Sequence, residues 1–168
     1  MREVMLAKSA GFCYGVRRAV ELARRTAEGG GNCWMLGDLI HNRFVVEDLA
    51  RRGIRKTADS ALLGPDDIVI IRSHGELKSV LDALEQRGVR CVNATCPNVI
   101  RIQRLVAQAE AEGRQPVIIG EAAHPEVAGI ASWCLSPLVF DGPESVQAWL
   151  DTPESKREIP MTVVAQTT

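Results

Sequence analysis

The sequence predicts an α/β protein with parallel sheets, built as two similar small βαβ domains packed closely together. Three observations predict it. Short apolar runs alternate with amphipathic stretches of helical period along the chain. Two of the runs, Ile68-Val69-Ile70-Ile71 and Val117-Ile118-Ile119, are continuously apolar, as strands covered on both faces should be. The stretches between runs are ~10–15 residues long, the length of a crossover helix in a right-handed βαβ unit.

The apolar runs give candidate strands at Val4–Lys8, Cys33–Leu39, Asp67–Arg72, Cys91–Ala94, Pro116–Gly120, Pro137–Phe140 and Met161–Ala165. The amphipathic stretches give candidate helices at Gly15–Ala27, Arg43–Arg52, Leu77–Arg87, Pro97–Glu112, Pro125–Trp133 and Glu144–Leu150. Pro97 and Pro125 stand at first helical positions, where a missing N–H costs nothing. Gly29, Gly53, Gly88 and Gly113 stand where helices should stop. A second unit begins near residue 96 with no low-complexity linker, which divides the chain into domains 1–96 and 97–168. Asp151–Arg157 is polar and contains proline, so it reads as a surface loop. The final strand is followed by no helix, and the chain therefore reads as part of something longer.

Bulk properties exclude several classes. The chain has 168 residues, 46% hydrophobic and 24% charged, with a formal net charge of −1. That balance gives no footing for general nucleic-acid or membrane-surface binding. No apolar run approaches the ~20 residues of a membrane span, and the N-terminal apolar stretch is too short for a signal peptide. The five cysteines are scattered, without a Cys-x-x-Cys pair, so neither a disulfide framework nor a zinc ribbon is expected. The chain reads as cytoplasmic, its thiols buried, catalytic or bound to a soft metal.

The unusual polar residues fall at one place in the pattern. All three histidines, His41, His74 and His124, follow candidate strands and precede candidate helices, as do Cys13 and Cys96. In open α/β sheets, ligands bind at the carboxyl ends of the strands. Helix N-termini there offer free N–H groups and a positive dipole end to phosphate, and histidines add further donors. Gly11 and Gly15 suggest backbone packed close to something near Cys13. Cys96 sits at a helix start, a position that suits a metal-binding thiolate. Cys33 and Cys91 begin strands at the opposite edge and Cys134 ends a helix, so these three read as structural. Arg17-Arg18 and Arg51-Arg52 read as solvated helix faces. Glu126, second in its helix, is either an acidic residue favoured by the dipole or a proton donor.

Six motifs, GFCYGV (11–16), IHNRFVV (40–46), SHGE (73–76), NATCP (93–97), HPEV (124–127) and QTT (166–168), occur in this order. Each is weak alone. Together they resemble the 4-hydroxy-3-methylbut-2-enyl diphosphate reductase family of the non-mevalonate isoprenoid pathway over essentially the whole chain. The resemblance implies three similar α/β domains around a [4Fe-4S] cluster held by three cysteines, with one iron left open for substrate. It implies Cys13 and Cys96 as two of those ligands, and His41, His74 and His124 as diphosphate-binding residues. Glu126 would be the catalytic acid, and Thr167 a catalytic residue that positions substrate and relays the proton. The reaction would remove the hydroxyl of a small allylic diphosphate with two electrons and protons, giving isopentenyl and dimethylallyl diphosphate. The electrons would come from a ferredoxin or flavodoxin type partner. The family's third cysteine ligand, with serine and asparagine residues of the diphosphate site, belongs to a third domain that this chain does not include. The chain therefore reads as the first two domains of three, inactive by itself. The competing expectations are a diphosphate- or metal-binding module without redox activity, and a purely structural α/β fragment.

Overall fold

The computed structural model describes residues 3–156 and 158–167. It is an α/β structure with two all-parallel sheets. The first domain runs α1 (Tyr14–Glu28), β1 (Asn32–Leu36), α2 (Arg43–Arg51), β2 (Arg55–Thr57), β3 (Asp67–Ile71), α3 (Lys78–Gln86) and β4 (Arg90–Asn93), with strand order β2-β1-β3-β4. The second runs α4 (Pro97–Ala111), β5 (Gln115–Ile119), α5 (Pro125–Ala131), β6 (Leu138–Phe140), α6 (Pro143–Leu150) and β7 (Met161–Ala165), with strand order β6-β5-β7.

Strand alternation decides which helix covers which face. In β1 and β3 the side chains of Cys33, Met35 and Ile70 join Ala19, Val20, Ala23 and Leu49 in one core beneath α1 and α2. Their neighbours Leu36, Val69 and Ile71 point the other way and join Leu84 of α3. The period of two thus produces two cores from one apolar run, and the continuous apolarity of residues 68–71 follows from it. The buried positions of α1 (Gly15, Ala19, Val20 and Ala23) form a stripe of small residues, which lets that helix lie close to the sheet.

In the second domain, Ile118, Val139 and Val164 pack under α4 and α5 with Val99, Val106, Val127 and Ile130. The opposite face is covered less fully. Phe140 meets Trp149 of α6 with ring centroids 5.8 Å apart, while Ile119 and Val163 are exposed. The expectation of burial on both faces thus holds for Val117 and Ile118 and fails at Ile119, because the cover from α6 lies over β6.

Two further expectations fail. Val4–Lys8 forms no strand, and Val4, Met5 and Leu6 are exposed. An apolar run becomes a strand only where another strand can pair with it, and none of the described strands does. In the other direction, β2 was not expected. Its residues Arg55-Lys56-Thr57 carry no apolar signal, yet they pair in parallel with Trp34-Met35-Leu36, and the Arg55 guanidinium stacks 3.8 Å from the Trp34 ring centroid. As a three-residue charged edge strand it also protects the sheet from further pairing. A 3₁₀ turn at Ser60–Leu62 was likewise missed, and another, Pro153–Lys156, lies within the expected surface loop. α5 stops at Ala131, two residues before its expected end. No helix among the described residues is long and apolar enough to cross a membrane.

Gly120 shows how closely the second domain's strand ends are fitted. A Cβ there would lie 2.7–2.8 Å from Gln166 Oε1 and Cβ and from Val127 Cγ2. Gly120→Ala is therefore expected to cost about 1–3 kcal/mol. Gly64→Ala, where a Cβ meets nothing within 4 Å, should stay within about 1 kcal/mol of the parent. Urea denaturation of the two variants checks this contrast.

Candidate active site at the joined sheet edges

Strand order places the site. In the first sheet the chain moves outward in one direction from β1 to β2 and in the other from β3 to β4, so the crevice between β1 and β3 is a switch point. The loops leaving those strands carry His41 and His74. In the second sheet the equivalent crevice lies between β5 and β7. The loops leaving them carry His124 and, after β7, Gln166 and Thr167.

The two crevices meet. His41 and His74 stack with ring centroids 5.2 Å apart and planes 2° from parallel. His124 stands edge-on to both, at 6.3 and 6.2 Å. Three loops from two domains thus bring the three histidines of the chain into one cluster. Phe12, Val16, Ile40 and Ser73 join His41 and His74 around a cleft of about 250 Å³. A larger hollow of about 380 Å³ beside β4 and one of about 280 Å³ at the far end of the second sheet lie away from the histidines.

Helix caps fix two of the histidine-bearing loops. Asn42 caps α2, its Oδ1 accepting the N–H groups of Phe44 and Val45 at 3.1 and 3.2 Å, which fixes the residue after His41. His124 caps α5, its Nδ1 accepting the N–H of Glu126 at 3.1 Å. That bond assigns the proton of a neutral His124 to Nε2, which is left to donate elsewhere. His74 is the buried member, 4% exposed, and its Nε2 has no hydrogen-bond partner among the described residues. Burial first, then the Arg72 charge and the neighbouring His41 and His124, pushes its pKa down to about 4. His74 is therefore neutral near pH 7. A buried ring nitrogen without a partner is costly unless something occupies the space in front of it.

Glu126 lies beside this cluster and is 0% exposed. Its Oε1 accepts from Thr167 N at 2.6 Å and from Thr167 Oγ1 at 2.9 Å. Gln166 closes the same edge: its N–H donates to Ile119 O at 2.8 Å, and its Oε1 accepts from Glu121 N at 3.0 Å. Thr168, the last residue of the QTT motif, lies outside the described residues.

Cys13 and Cys96 are the N-cap residues of α1 and α4, and neither side chain caps its helix. Cys13 is exposed and Cys96 half-buried. A Cβ on Gly15 would lie only 2.6 Å from Cys96 Sγ, so the first turn of α1 sits directly against that sulfur. The suggestion that Gly15 marks a close approach is met by Cys96. No group of three or more histidine, cysteine, aspartate or glutamate side chains among the described residues is arranged to hold a metal.

The other cysteines divide. Cys33 is buried in the first core, its thiol pushed up in pKa by burial. Cys134 packs in the second domain, with burial and then the Glu110 charge raising it to about 11. Cys91 departs from the packed role expected of it and is exposed on the edge strand β4. Arg18 is not a solvated side chain: its Nη1 donates to Thr95 O at 3.1 Å and ties α1 to the loop before α4. Two residues missed in the sequence lie under the cluster, Arg72 and Glu76, joined by an ion pair of 2.8 Å. The available signal was their spacing of four across SHGE.

The lowered pKa of His74 has a consequence for stability. Between about 4 and the ordinary value of 6.5, the unfolded chain binds a proton that the folded one does not. The stability gained from neutral His74 is present above pH 6.5 and lost as the pH falls toward 4. Urea midpoints from pH 7 to 4.5 should fall less steeply in His74→Gln, by up to about one proton's worth of slope.

Comparison with known proteins gives a consistent picture. A family model described as LytB protein matches residues 4–168. The 4-hydroxy-3-methylbut-2-enyl diphosphate reductase of Geobacter sulfurreducens is 40% identical over 166 residues, 99% of this chain and 57% of its own length. The enzyme of the same name from Caldanaerobacter subterraneus subsp. tengcongensis is 40% identical over 136 residues, covering 79% of this chain and 47% of its own. The chain thus spans about half the length of these relatives. A solved structure of (E)-4-hydroxy-3-methyl-but-2-enyl diphosphate reductase, described as the terminal enzyme of the non-mevalonate pathway, superposes with a TM-score of 0.82 at 34% identity, over 100% of this chain and 59% of that one. The Plasmodium falciparum structure of the E-1-hydroxy-2-methyl-but-2-enyl-4-diphosphate reductase shares the fold, with a TM-score of 0.86 at 24% identity. A family model spanning nearly every residue, together with the parallel-sheet architecture just described, makes this chain a member of the LytB family.

Proposed function

We propose that this chain is the diphosphate-gripping and acid-bearing part of a 4-hydroxy-3-methylbut-2-enyl diphosphate reductase, formed by domains 1–96 and 97–168. The observation that carries the reading is the three-imidazole cluster at the joined switch points, with the buried Glu126–Thr167 pair beside it. His41, His74 and His124 bind the diphosphate, and the Nε2 of His74, without a partner among the described residues, is the donor to a phosphate oxygen. Holding the charged end at three points orients the allylic hydroxyl at the far end of the substrate. Glu126 is the acid of the reaction, and Thr167, hydrogen-bonded to its Oε1, keeps the carboxyl turned toward the site and relays the proton.

Cys13 and Cys96 suit a shared iron–sulfur centre in part. Both stand at helix N-termini on the histidine edge, and α1 approaches Cys96 without a Cβ between them. They supply two thiolates where such a cluster takes three or four protein ligands, so a third comes from outside this chain. When bound, a [4Fe-4S] cluster supplies electrons singly and an open iron that acts as a Lewis acid on the hydroxyl. A ferredoxin or flavodoxin type protein in the cytoplasm would be its electron donor. A diphosphate-binding module without redox activity is the second reading, favoured by the two-thiol count alone.

Two measurements test the proposal. Inorganic pyrophosphate should bind with proton uptake near pH 6, because an anion facing neutral His74 restores its proton. Calorimetry in buffers of different ionisation enthalpy reads this, and His74→Gln should abolish the uptake. Anaerobic reconstitution should give a stoichiometric cluster only when the chain is fused to the remaining part of the Geobacter relative, and Cys13→Ser or Cys96→Ser should remove it. A stoichiometric cluster on this chain alone would make another of its cysteines a ligand and overturn the two-thiol assignment. Pyrophosphate binding with no iron in any form would leave the binding module.

A further inference from the structure

The loop leaving β3, residues 72–77, is closed on itself beneath His74. Arg72 Nη2 and Glu76 Oε2 are 2.8 Å apart, at side chains 25% and 7% exposed. The other carboxylate oxygen, Oε1, accepts the N–H of Leu77 at 3.0 Å. Arg72 Nε donates to Gly75 O at 3.3 Å, and Arg72 O accepts from Gly75 N at 3.1 Å. Gly75 has φ +89° and lies against Gln103, where a Cβ would come within 2.9 Å of Nε2. The loop therefore has one way to sit, with His74 at its centre.

The pair also touches the other two histidine-bearing elements. Arg72 lies under the β1–α2 connection that carries His41: a Cβ on Gly37 would be 3.1 Å from Arg72 Nη1. The Glu76 backbone seats α5, which carries His124 and Glu126, since a Cβ on Gly129 would be 3.6–3.8 Å from Glu76 O, C and N. The next contact along reinforces this seat, with Lys78 N donating to Ser132 Oγ at 2.9 Å. A buried ion pair is costly to desolvate and is often replaceable by apolar residues without loss of stability. Its contacts with the β1–α2 connection and with α5 point to a role that apolar packing would not fill.

We propose that Glu76 and Arg72 are positioning residues, an ion pair that sets the three histidine-bearing loops in register and so fixes the imidazole cluster and the acid helix relative to each other. The inference rests on the diphosphate reading of that cluster. The pair also balances charge. The groups facing His74 are Arg72, His41 and His124, and Glu76 neutralises the one full cation among them. Removing the carboxylate leaves the Arg72 charge uncompensated beside His74.

The test uses Glu76→Gln and the double variant Arg72→Met/Glu76→Leu, the latter to keep a folded protein with no unpaired buried charge. Two readouts are taken: inorganic pyrophosphate affinity by calorimetry, and nuclear magnetic resonance of the ligand-free imidazoles for His41–His74 ring contacts and the His74 titration. Both variants should weaken pyrophosphate by about tenfold or more and lose or shift the ring contacts. Glu76→Gln should also move the His74 titration lower, and the double variant should move it upward. A folded double variant with parental affinity and intact ring contacts would overturn the inference. If the parent protein binds no pyrophosphate, the diphosphate reading fails, while the ring contacts and the titration still decide the positioning role.

Discussion

The hydrogen bond from Cys96 N to Ser73 O, 2.7 Å long, is the joint on which the site depends. It links the end of β3 to the start of α4, and so the first domain's switch point to the first helix of the second. Around it the elements pack closely, and a Cβ would come within 2.6 Å of Cys96 Sγ at Gly15 and 2.9 Å of Gln103 Nε2 at Gly75. Gly15 faces Cys96, Gly75 faces Gln103 and Val99, and Gly129 faces the Glu76 backbone. Such contacts have little freedom to slide, because a close-packed interface has few alternative arrangements. Two parallel sheets each gather their loops at their carboxyl edges. The joint turns two separate edges into one cleft.

Within that cleft one imidazole is held neutral near pH 7. His74 is kept neutral by burial, by Arg72 and by two neighbouring imidazoles. Stacked neutral rings are compatible at 5.2 Å, whereas two imidazolium rings at that distance repel. An anion reverses the balance, because its charge makes protonation favourable where burial alone opposes it. His74 can thus be neutral near pH 7 and gain a proton beside an anion. Glu126 is tied to a different element. Its Oε1 is bound twice by Thr167, which follows β7 and belongs to no histidine loop.

Much of the fold is legible in the sequence because burial writes itself as periodicity. Residues 68–71 had to be apolar throughout, since alternate side chains serve two cores. Met161–Ala165 is found at the bounds its β-branched and apolar run implies. What escapes is what does not depend on burial. β2 is polar and is held by pairing and by Arg55 on Trp34. Val4–Lys8 has the apolar run of a strand but no pairing partner among the described strands, and pairing is a property of the whole sheet. The histidine edge was legible because strand ends followed by helix starts fix its location. Arg72 and Glu76 were not, since a charge pair spaced by four reads as an exposed helical pair until the loop is seen to fold over it.

The division of labour between the two domains follows from these constraints. The first domain supplies His41, His74 and Cys13, and the loop before α4 supplies Cys96. The second supplies His124, Glu126 and Thr167. Neither half holds a binding cluster alone, since the third imidazole reaches the stacked pair only across the joint. A small change in the angle between the sheets would move His124 away from His41 and His74 and carry Glu126 with it, because Glu126 N is bonded to His124 Nδ1. On the proposed reading, ligand grip by His124 and proton delivery by Glu126 are therefore coupled in this architecture. Any residue that sets the angle, as Glu76 and Gly129 do by direct contact, acts on both at once.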